Sequence, residues 1–248
     1  MLSRTITSLQ HPFVKYCVKL RTSKAFRQQE RKALIFGSKL IAELSSFAEI
    51  PVLLETYLHT TAAKSGQTYI VSEEIIKKIS GMQSPEPVAA IVAMPQEQDL
   101  SSCLRLLILD RVSDPGNLGS LLRNALALGW DGVFLLEDCC DPFNDKALRA
   151  AKGATFLLPF QCGSLDDLDL LLIKKPRNLY VADLDGTHFI DVQFTAPLAL
   201  ALGSESQGPS QKIREHFHKI SIPMTGPMES LNVASAGAIL LQHIRGSL

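Results

Sequence analysis

The second half of the chain alternates short apolar segments with longer segments in which apolar residues recur at helical spacing. The short apolar segments predict strands at Leu104–Leu109, Val133–Leu136, Thr155–Leu158, Asn178–Ala182, Leu198–Leu202 and Lys219–Ile222. The helical spacing predicts helices at Leu118–Leu128, Asp145–Ala151, Leu165–Lys174, Ser210–His216 and Ser230–Ile244. This alternation predicts an α/β fold with a mostly parallel sheet that is covered by helices on both faces.

The first part of the chain has a different order of segments. Those with helical or strand-like periodicity are Val14–Lys32, Ser38–Phe47, Val52–Leu54, Tyr69–Val71 and Val88–Ala93. We interpret them as a small α/β domain. The stretch Pro95–Ser102 is polar and without periodicity, which is typical of a linker. We therefore place the domain boundary near Gln98, with domains at 1–97 and 98–248.

Composition restricts the class of protein. The chain has 248 residues, 46% of them hydrophobic, and no apolar run near the roughly 20 residues that cross a membrane. Its N-terminus, with Arg4, His11 and Lys15, lacks the apolar core of a secretory signal. Five scattered cysteines form no Cys-x-x-Cys pair and have no histidines at zinc-ligand spacing. We expect a cytoplasmic protein with reduced thiols, without a metal and without a membrane partner.

Charge is distributed unevenly along a chain whose formal net charge is +0. Residues 1–40 contain nine Lys or Arg residues against the single acid Glu30, a net charge of +8. Aromatic residues are interleaved with these charges, as a contact to a phosphate backbone requires. The residues that we predict to make this contact are Lys15, Lys19, Arg21 and Arg27. A solvated helical face explains the same composition equally well.

Three polar loops each follow a predicted strand. They span Asp110–Arg123, Leu202–Pro209 and Ile222–Val233. Ligands of open α/β sheets bind outside the carboxyl ends of the strands. The sequence therefore predicts one composite site built from these loops.

The first loop has neither the G-x-G-x-x-G nor the G-x-x-x-x-G-K-[ST] pattern, which disfavours nicotinamide binding and nucleotide hydrolysis. Asn117 and Arg123 are six residues apart, so on a helix they border one pocket from adjoining faces. Arg123 is expected either to face a carboxylate or phosphate or to make a surface ion pair.

The other two loops are ambiguous when each is considered alone. Glu205 lies in a glycine-flanked loop after a buried strand, which is also an ordinary turn. Ser230 is a plausible helix N-cap, a structural role that would account for it entirely. The helix that follows begins with the small residues Ala234–Ala238 and is expected to pack closely.

Taken together and in this order, the loops resemble the motifs of the SpoU (TrmH-like) branch of the SPOUT family. These enzymes are RNA ribose 2′-O-methyltransferases that use S-adenosylmethionine. The segments that carry the resemblance are Asn117-x-Gly119-x-x-x-Arg123, Gly203-x-Glu205-x-x-Gly208, Ile222-Pro-Met224 and Ser230-Leu-Asn232. The stretch Asp141–Arg149 is similar to a further family segment, in which Lys146 and Arg149 are usual and Ala151 replaces a common serine. Residues Leu34–Gly37 resemble the opening strand of the substrate-binding domain that many members carry.

The resemblance implies a C-terminal trefoil knot, a homodimer with its site at the subunit interface, and tRNA or rRNA as the substrate. It implies that Arg123 takes part in activating the ribose hydroxyl and that Asn117 and Glu205 orient Arg123 and the substrate, while Ser230 and Asn232 shape the pocket. The residues that it assigns to S-adenosylmethionine are Leu202, Gly203, Gly208, Ile222, Met224 and Leu231.

Two other functions are compatible with the same motifs. One is a non-catalytic RNA-binding or ribosome-assembly protein that keeps the fold. The other is methyl transfer to a base nitrogen, which related knotted enzymes perform; the motif set favours the ribose. The sequence identifies neither the RNA nor the nucleotide.

Overall fold

The computed structural model describes residues 4–59, 63, 65–204 and 207–247 and divides the chain into two compact units. The first unit comprises Met1–Pro95 and Phe143–Phe156, and the second comprises Gln96–Pro142 and Leu157–Leu248. The prediction assigned Phe143–Phe156 to the second domain, whereas its contacts group it with the first unit.

The first unit contains a mixed five-stranded sheet in the order β1-β4-β3-β5-β2. Its strands are β1 (Arg4–Ile6), β2 (Lys32–Phe36), β3 (Val52–Glu55), β4 (Gln67–Val71) and β5 (Val88–Ala93). Its helices are α1 (Pro12–Thr22), α2 (Lys24–Glu30), α3 (Ser38–Leu44), α4 (Glu73–Ser80), α6 (Asp145–Ala151) and α7 (Ala154–Leu157). Strand β4 is parallel to β1 and β3, while β5 is antiparallel to β2 and β3.

The basic segment that was predicted as one helix is two helices followed by a strand. Ser23 is extended and accepts a hydrogen bond from the Phe26 amide, so it is the N-cap of α2. The break exposes carbonyl groups at the end of α1. The Arg27 guanidinium satisfies them, because its Nη1 donates to the carbonyls of Leu20 (2.7 Å) and Arg21 (2.8 Å). Arg27 is only 3% exposed, so in this structure it contributes to the packing of α1 and α2 and is not part of the exposed basic surface on which the predicted contact to RNA depends.

The second unit contains a six-stranded sheet in the order β11-β9-β10-β6-β7-β8, and every neighbouring pair is parallel. Its strands are β6 (Arg105–Leu109), β7 (Gly132–Leu136), β8 (Phe160–Gly163), β9 (Asn178–His188), β10 (Leu198–Leu202) and β11 (His218–Ser221). Its helices are α5 (Pro115–Ala127), α8 (Leu165–Lys174), α9 (Gln211–His216) and α10 (Val233–Gly246). The predicted α/β class and mostly parallel sheet are confirmed. Strands β7 and β10 are buried along their whole length, which explains their unbroken apolar sequences.

The segment Thr155–Leu158 was predicted as a strand, and this prediction is wrong. Residues Ala154–Leu157 form the short helix α7, and the strand β8 begins only at Phe160, after Pro159. A short apolar run has too few residues for its period to distinguish a strand from a buried helical turn.

Two glycines fix how closely the chain approaches itself near the end of β10. A Cβ atom on Gly203 would lie 2.1 Å from the backbone nitrogen of Pro209 and 2.3 Å from the carbonyl carbon of Gly208. A Cβ on Gly237 of α10 would lie 2.3 Å from Cδ2 of Leu121 on α5. The loop after β10 therefore folds back against the strand end, and α10 packs closely on α5, only because both positions lack side chains.

Replacing Gly203 by alanine should destabilise the second unit by about 3 kcal/mol, because the obstructing atoms belong to the backbone and cannot rotate away. The matched control is Gly246→Ala, since a Cβ there meets nothing within 4 Å. Urea unfolding of both variants measures the difference. A Gly203→Ala protein as stable as the parent would show that the loop does not fold back as described.

Candidate active site

A cavity of about 360 Å³ opens at the carboxyl ends of β9, β10 and β11. Strand β9 pairs with β10 only as far as Val181–Ala201, and beyond that point it continues along β11 alone. The residues that line the cavity come from this end of β9, from the loops after β10 and β11, and from α10. Its volume lies in the range of sites for small molecules and cofactors.

The structure brings the predicted cofactor residues together. All six line this cavity: Leu202, Gly203, Gly208, Ile222, Met224 and Leu231. Ser230, which was predicted to shape the pocket, also lines it. Glu205 lies outside the described residues. The second and third polar loops thus meet at one cavity, as the positions of their strands predict.

The first polar loop holds the second in place. The buried Asp110 accepts a hydrogen bond from the Ser210 amide at 2.5 Å. The Arg111 guanidinium donates to Oε1 of Gln207 and to the Gly208 carbonyl, both at 3.1 Å. Arg111 adopts a left-handed conformation, with φ of 57°, which bends the chain just after β6. Sequence reasoning did not identify Arg111, because an arginine after a strand carries no distinctive pattern.

Asn232 joins the third loop to the first. Its Oδ1 accepts hydrogen bonds from the amides of Ala234 (2.9 Å) and Ser235 (3.3 Å), so Asn232 is the N-cap of α10. Its Nδ2 donates to Oδ1 of Asn117 at 3.0 Å. The prediction that Ser230 caps this helix is therefore wrong, because the helix begins at Val233.

Asn117 is positioned by the start of α5. Asp114 is the N-cap, its Oδ1 accepts from the Asn117 amide at 2.9 Å, and Pro115 occupies the first helical position. This helix therefore begins three residues earlier than the predicted Leu118.

Arg123 lies on the exposed side of α5 and does not line the cavity. Among the described residues its side chain makes no hydrogen bond and no ion pair. The sequence led us to expect that Arg123 faces a carboxylate or makes a surface ion pair. The part of the chain that the structure describes provides neither environment. The guanidinium of Arg123 is exposed and can be reached by a ligand or by another chain.

Sequence reasoning missed a charged group at the edge of the cavity. Asp183 and Asp185 come from β9 and Arg214 from α9, and all three line the cavity. Nε of Arg214 lies 2.7 Å from Oδ2 of Asp183, whose side chain is only 6% exposed. The alternation Asp183-x-Asp185, which begins two residues after the buried Val181, is the signal that would have identified this group.

The predicted RNA-contacting residues belong to the first unit. Lys15 and Lys19 are exposed on α1, and Nζ of Lys19 lies 4.3 Å from the centre of the Phe26 ring. Arg21 is half-buried with its guanidinium against Gly81. Beside them, Tyr16 donates to Glu30 at 2.9 Å, and burial together with this bond raises the pKa of Tyr16. These aromatic contacts hold α1 and α2 together under the exposed lysines.

Metal sites and membrane spans are both absent from the described residues. In the ranges that the structure covers, no group of three or more His, Cys, Asp or Glu side chains is arranged to hold a metal ion. No helix among these residues has the length and apolarity needed to cross a membrane. Cys17, Cys103 and Cys139 carry free thiols, and burial raises the pKa of the Cys17 and Cys139 thiols to about 12.

Comparison with protein-family models gives two matches. Residues 105–242 match the model of the SpoU rRNA Methylase family. Residues 11–90 match the MRM3-like substrate binding domain. The first match covers the three polar loops, and the second covers most of the first unit.

Individual proteins match over the same regions. The chain is 34% identical to the 23S rRNA (guanosine(2553)-2′-O)-methyltransferase RlmP of Bacillus subtilis, over 98% of this chain and 100% of that protein. It is 36% identical to the 23S rRNA (guanosine-2′-O-)-methyltransferase RlmB of Pectobacterium atrosepticum, over 60% of this chain and 66% of that protein. The AdoMet-bound rRNA methyltransferase of Sinorhizobium meliloti superimposes with a TM-score of 0.87 at 26% identity, covering 99% of this chain and 98% of that one.

The two bonding roles of Asn232 can be separated by substitution. Asn232→Ala removes the helix cap and the bond to Asn117 and should lower the free energy of unfolding by about 1–2 kcal/mol. Asn232→Asp keeps an acceptor for the cap, so its loss should be below about 1 kcal/mol. Urea unfolding is the measurement, with Ser235→Ala as a control on the exposed face of α10. Equal losses in both Asn232 variants would contradict the capping role.

Proposed function

The chain belongs to the SpoU rRNA methylase family, and we propose on that premise that it methylates a ribose 2′-hydroxyl of RNA with S-adenosylmethionine. The observation that carries this function is the cavity in which the loops after β10 and β11 meet. The resemblance found in the sequence is confirmed by the family match. S-adenosylmethionine is the cofactor of the family, and a structural relative binds it.

The cavity fits this cofactor. Its lining combines apolar side chains from Leu202, Ile222 and Leu231 with backbone at the side-chain-free Gly203 and Gly208. Apolar surfaces suit an adenine ring and a thioether chain, and exposed backbone groups suit the polar edges of the base and sugar. The residues that would hold the cofactor are Leu202, Gly203, Gly208, Ile222, Met224 and Leu231.

The chemistry requires an activated hydroxyl held in line with the methyl group. When bound, S-adenosylmethionine supplies an electrophilic methyl carbon on its sulfonium. We assign to Arg123 the stabilisation of the developing alkoxide and of the neighbouring phosphate, which a guanidinium binds through several donors. Asn117 and Glu205 would orient Arg123 and the substrate. Ser230 and Asn232 would shape the pocket, and the bond from Asn232 to Asn117 supports a shared position.

We propose that the enzyme is a homodimer. Arg123 is exposed and lies outside the cavity lining, so a second copy of the chain is the simplest source of the surface that completes its environment. Large apolar side chains are exposed on α10, which packs on α5, and in the loop before α10, at Met228, Leu231 and Ile239. A second subunit would cover such side chains.

Ribosomal RNA is the proposed substrate, and tRNA is the alternative outcome of the test. The relatives RlmP and RlmB both act on 23S rRNA by their names. The first unit would contribute electrostatic contacts through Lys15, Lys19 and Arg21, since its leading segment carries a net charge of +8.

Two further features complete the proposal. The trefoil knot implied by the family is supported by the tight fold-back at Gly203 and by the position of β11 beside β9 rather than at the β8 edge. A cytoplasmic location is supported by the free thiols of Cys17, Cys103 and Cys139, which suit a reducing compartment.

The activity is tested with purified protein, labelled S-adenosylmethionine, and RNA from cells that lack its modifications, followed by nucleoside analysis of size-separated fractions. A labelled 2′-O-methylnucleoside in the ribosomal fraction is expected. Label in the tRNA fraction would correct the substrate, and a labelled base would correct the acceptor. Binding of RNA without binding of the cofactor would indicate the non-catalytic alternative.

In this assay Arg123→Ala should lower the methylation rate by at least about a hundredfold, because an oxyanion-stabilising donor is removed. Cofactor affinity should stay within about twofold, since Arg123 does not line the cavity. The control is Arg245→Ala, which removes another exposed arginine from the same unit. Full activity in the Arg123 variant would overturn its assigned role.

Charge reversal at Lys15 and Lys19 should weaken RNA binding and reduce the slope of log affinity against log salt by roughly 0.7–0.9 for each phosphate that the protein no longer neutralises. Arg21 is left unchanged because its contact with Gly81 makes it part of the packing. The control reverses Lys174 and Arg245, two exposed charges of the second unit. Equal effects of the two double variants on affinity would assign Lys15 and Lys19 to ordinary surface.

A further inference from the structure

We infer that the charged group Asp183, Asp185 and Arg214 makes the cavity select the positively charged methyl donor over the neutral demethylated product. This inference rests on the proposed function, because it concerns the ligand of the same cavity. It assigns to three residues outside the sequence motifs a role in cofactor specificity and in product release.

Methyl transfer changes the charge of the ligand. S-adenosylmethionine carries a sulfonium, an ammonium and a carboxylate, and its net charge is positive by one unit. In the reaction the sulfur–methyl bond breaks, the electron pair stays on sulfur, the ribose oxygen forms the new bond, and the hydroxyl proton leaves to solvent. S-adenosylhomocysteine is thus a thioether of zero net charge.

The cavity has the complementary charge. Among the described residues that line it, the ionisable side chains are Asp183, Asp185 and Arg214, and their formal charges sum to −1. The rest of the described lining is apolar, glycine or neutral polar. A net negative lining attracts a cation through the low-dielectric wall of a cavity more strongly than it attracts a neutral ligand of the same shape.

Asp183 has the geometry of a group held ready for a ligand. Its side chain is 94% buried, and Nη2 of Arg214 donates to its Oδ1 at 3.5 Å. Nε of Arg214 is 2.7 Å from Oδ2 but out of line for a hydrogen bond, and among the described residues no donor satisfies this buried oxygen. A buried acceptor without a donor is costly, and a hydroxyl or ammonium group of the ligand would relieve that cost.

Asp185 and Arg214 lie at the edge of the cavity and contribute to the net charge of its lining. The Asp185 side chain is 80% exposed, and its Oδ2 lies 3.8 Å from Nη2 of Arg214. Arg214 therefore partly neutralises two carboxylates and holds the buried one in position. Removing a carboxylate should make the lining less negative by one unit, whereas removing the guanidinium should make it more negative by one unit.

The experiment is isothermal titration of the full chain with three ligands. They are S-adenosylmethionine, S-adenosylhomocysteine, and sinefungin, in which a charged amine replaces the methylated sulfonium. For Asp185→Asn the affinities for S-adenosylmethionine and sinefungin should fall about threefold to tenfold, and the affinity for S-adenosylhomocysteine should change less than twofold. Asp138→Asn, an exposed carboxylate of the same unit outside the cavity, is the control.

A second variant, which removes a positive charge where Asp185→Asn removes a negative one, excludes a merely structural effect. Arg214→Gln should increase the preference for the two cationic ligands over S-adenosylhomocysteine, in a protein whose circular dichroism matches that of the parent. Parallel losses for all three ligands, or no change in their ratios, would overturn the inference while leaving the proposed function intact. A parent protein that binds none of the three would overturn the proposed function itself.

Discussion

The site depends on the close approach of the chain to itself at the end of β10. The backbone at Gly203 lies so near Gly208 and Pro209 that a single added carbon would overlap them. The loop is tied from the other side by Asp110 and Arg111, which follow β6. Since β6 and β10 are paired over their full length, the loop is fixed relative to the sheet at two points. Gly203, Gly208 and Pro209, which all line the cavity, therefore form one wall of it that is tied to the sheet.

The rest of the site divides into an apolar part and a charged part. The described residues of the loops after β10 and β11 that line the cavity supply side chains and backbone groups with no formal charge, which suits shape recognition of a cofactor. Among the residues that the structure describes, the charged side chains that line the cavity are Asp183, Asp185 and Arg214, while Arg123 lies on the exposed side of α5. Electrostatic effects are stronger inside a cavity than in bulk water because the effective dielectric constant is lower there. The bond from Asn232 to Asn117 joins the start of α10 to α5, the helix that carries Arg123.

Sequence reasoning predicted what local patterns determine. Periodicity located the parallel sheet and α8, and the ordered motifs placed six residues that do line one cavity. Its predictions were wrong or incomplete where the environment of a residue depends on a tertiary contact. In the sequence Arg27 cannot be distinguished from the other basic residues. It is buried because the helix break at Ser23 leaves the carbonyl groups of Leu20 and Arg21 without helical partners, and the Arg27 guanidinium donates to them. The segment Thr155–Leu158 has too few residues for its apolar periodicity to distinguish a strand from the helical turn that it forms. Asp183 has no motif, and its importance depends on Arg214, which is remote in sequence and contacts it only in the folded chain.

The most direct test of the central claim is a crystal structure of the protein grown with S-adenosylmethionine. The account predicts the cofactor in the cavity, against the backbone of Gly203 and Gly208 and the side chains of Ile222 and Leu231, with a polar group of the ligand within hydrogen-bonding distance of Asp183. A cofactor bound elsewhere on the protein, with the cavity filled only by water, would contradict it.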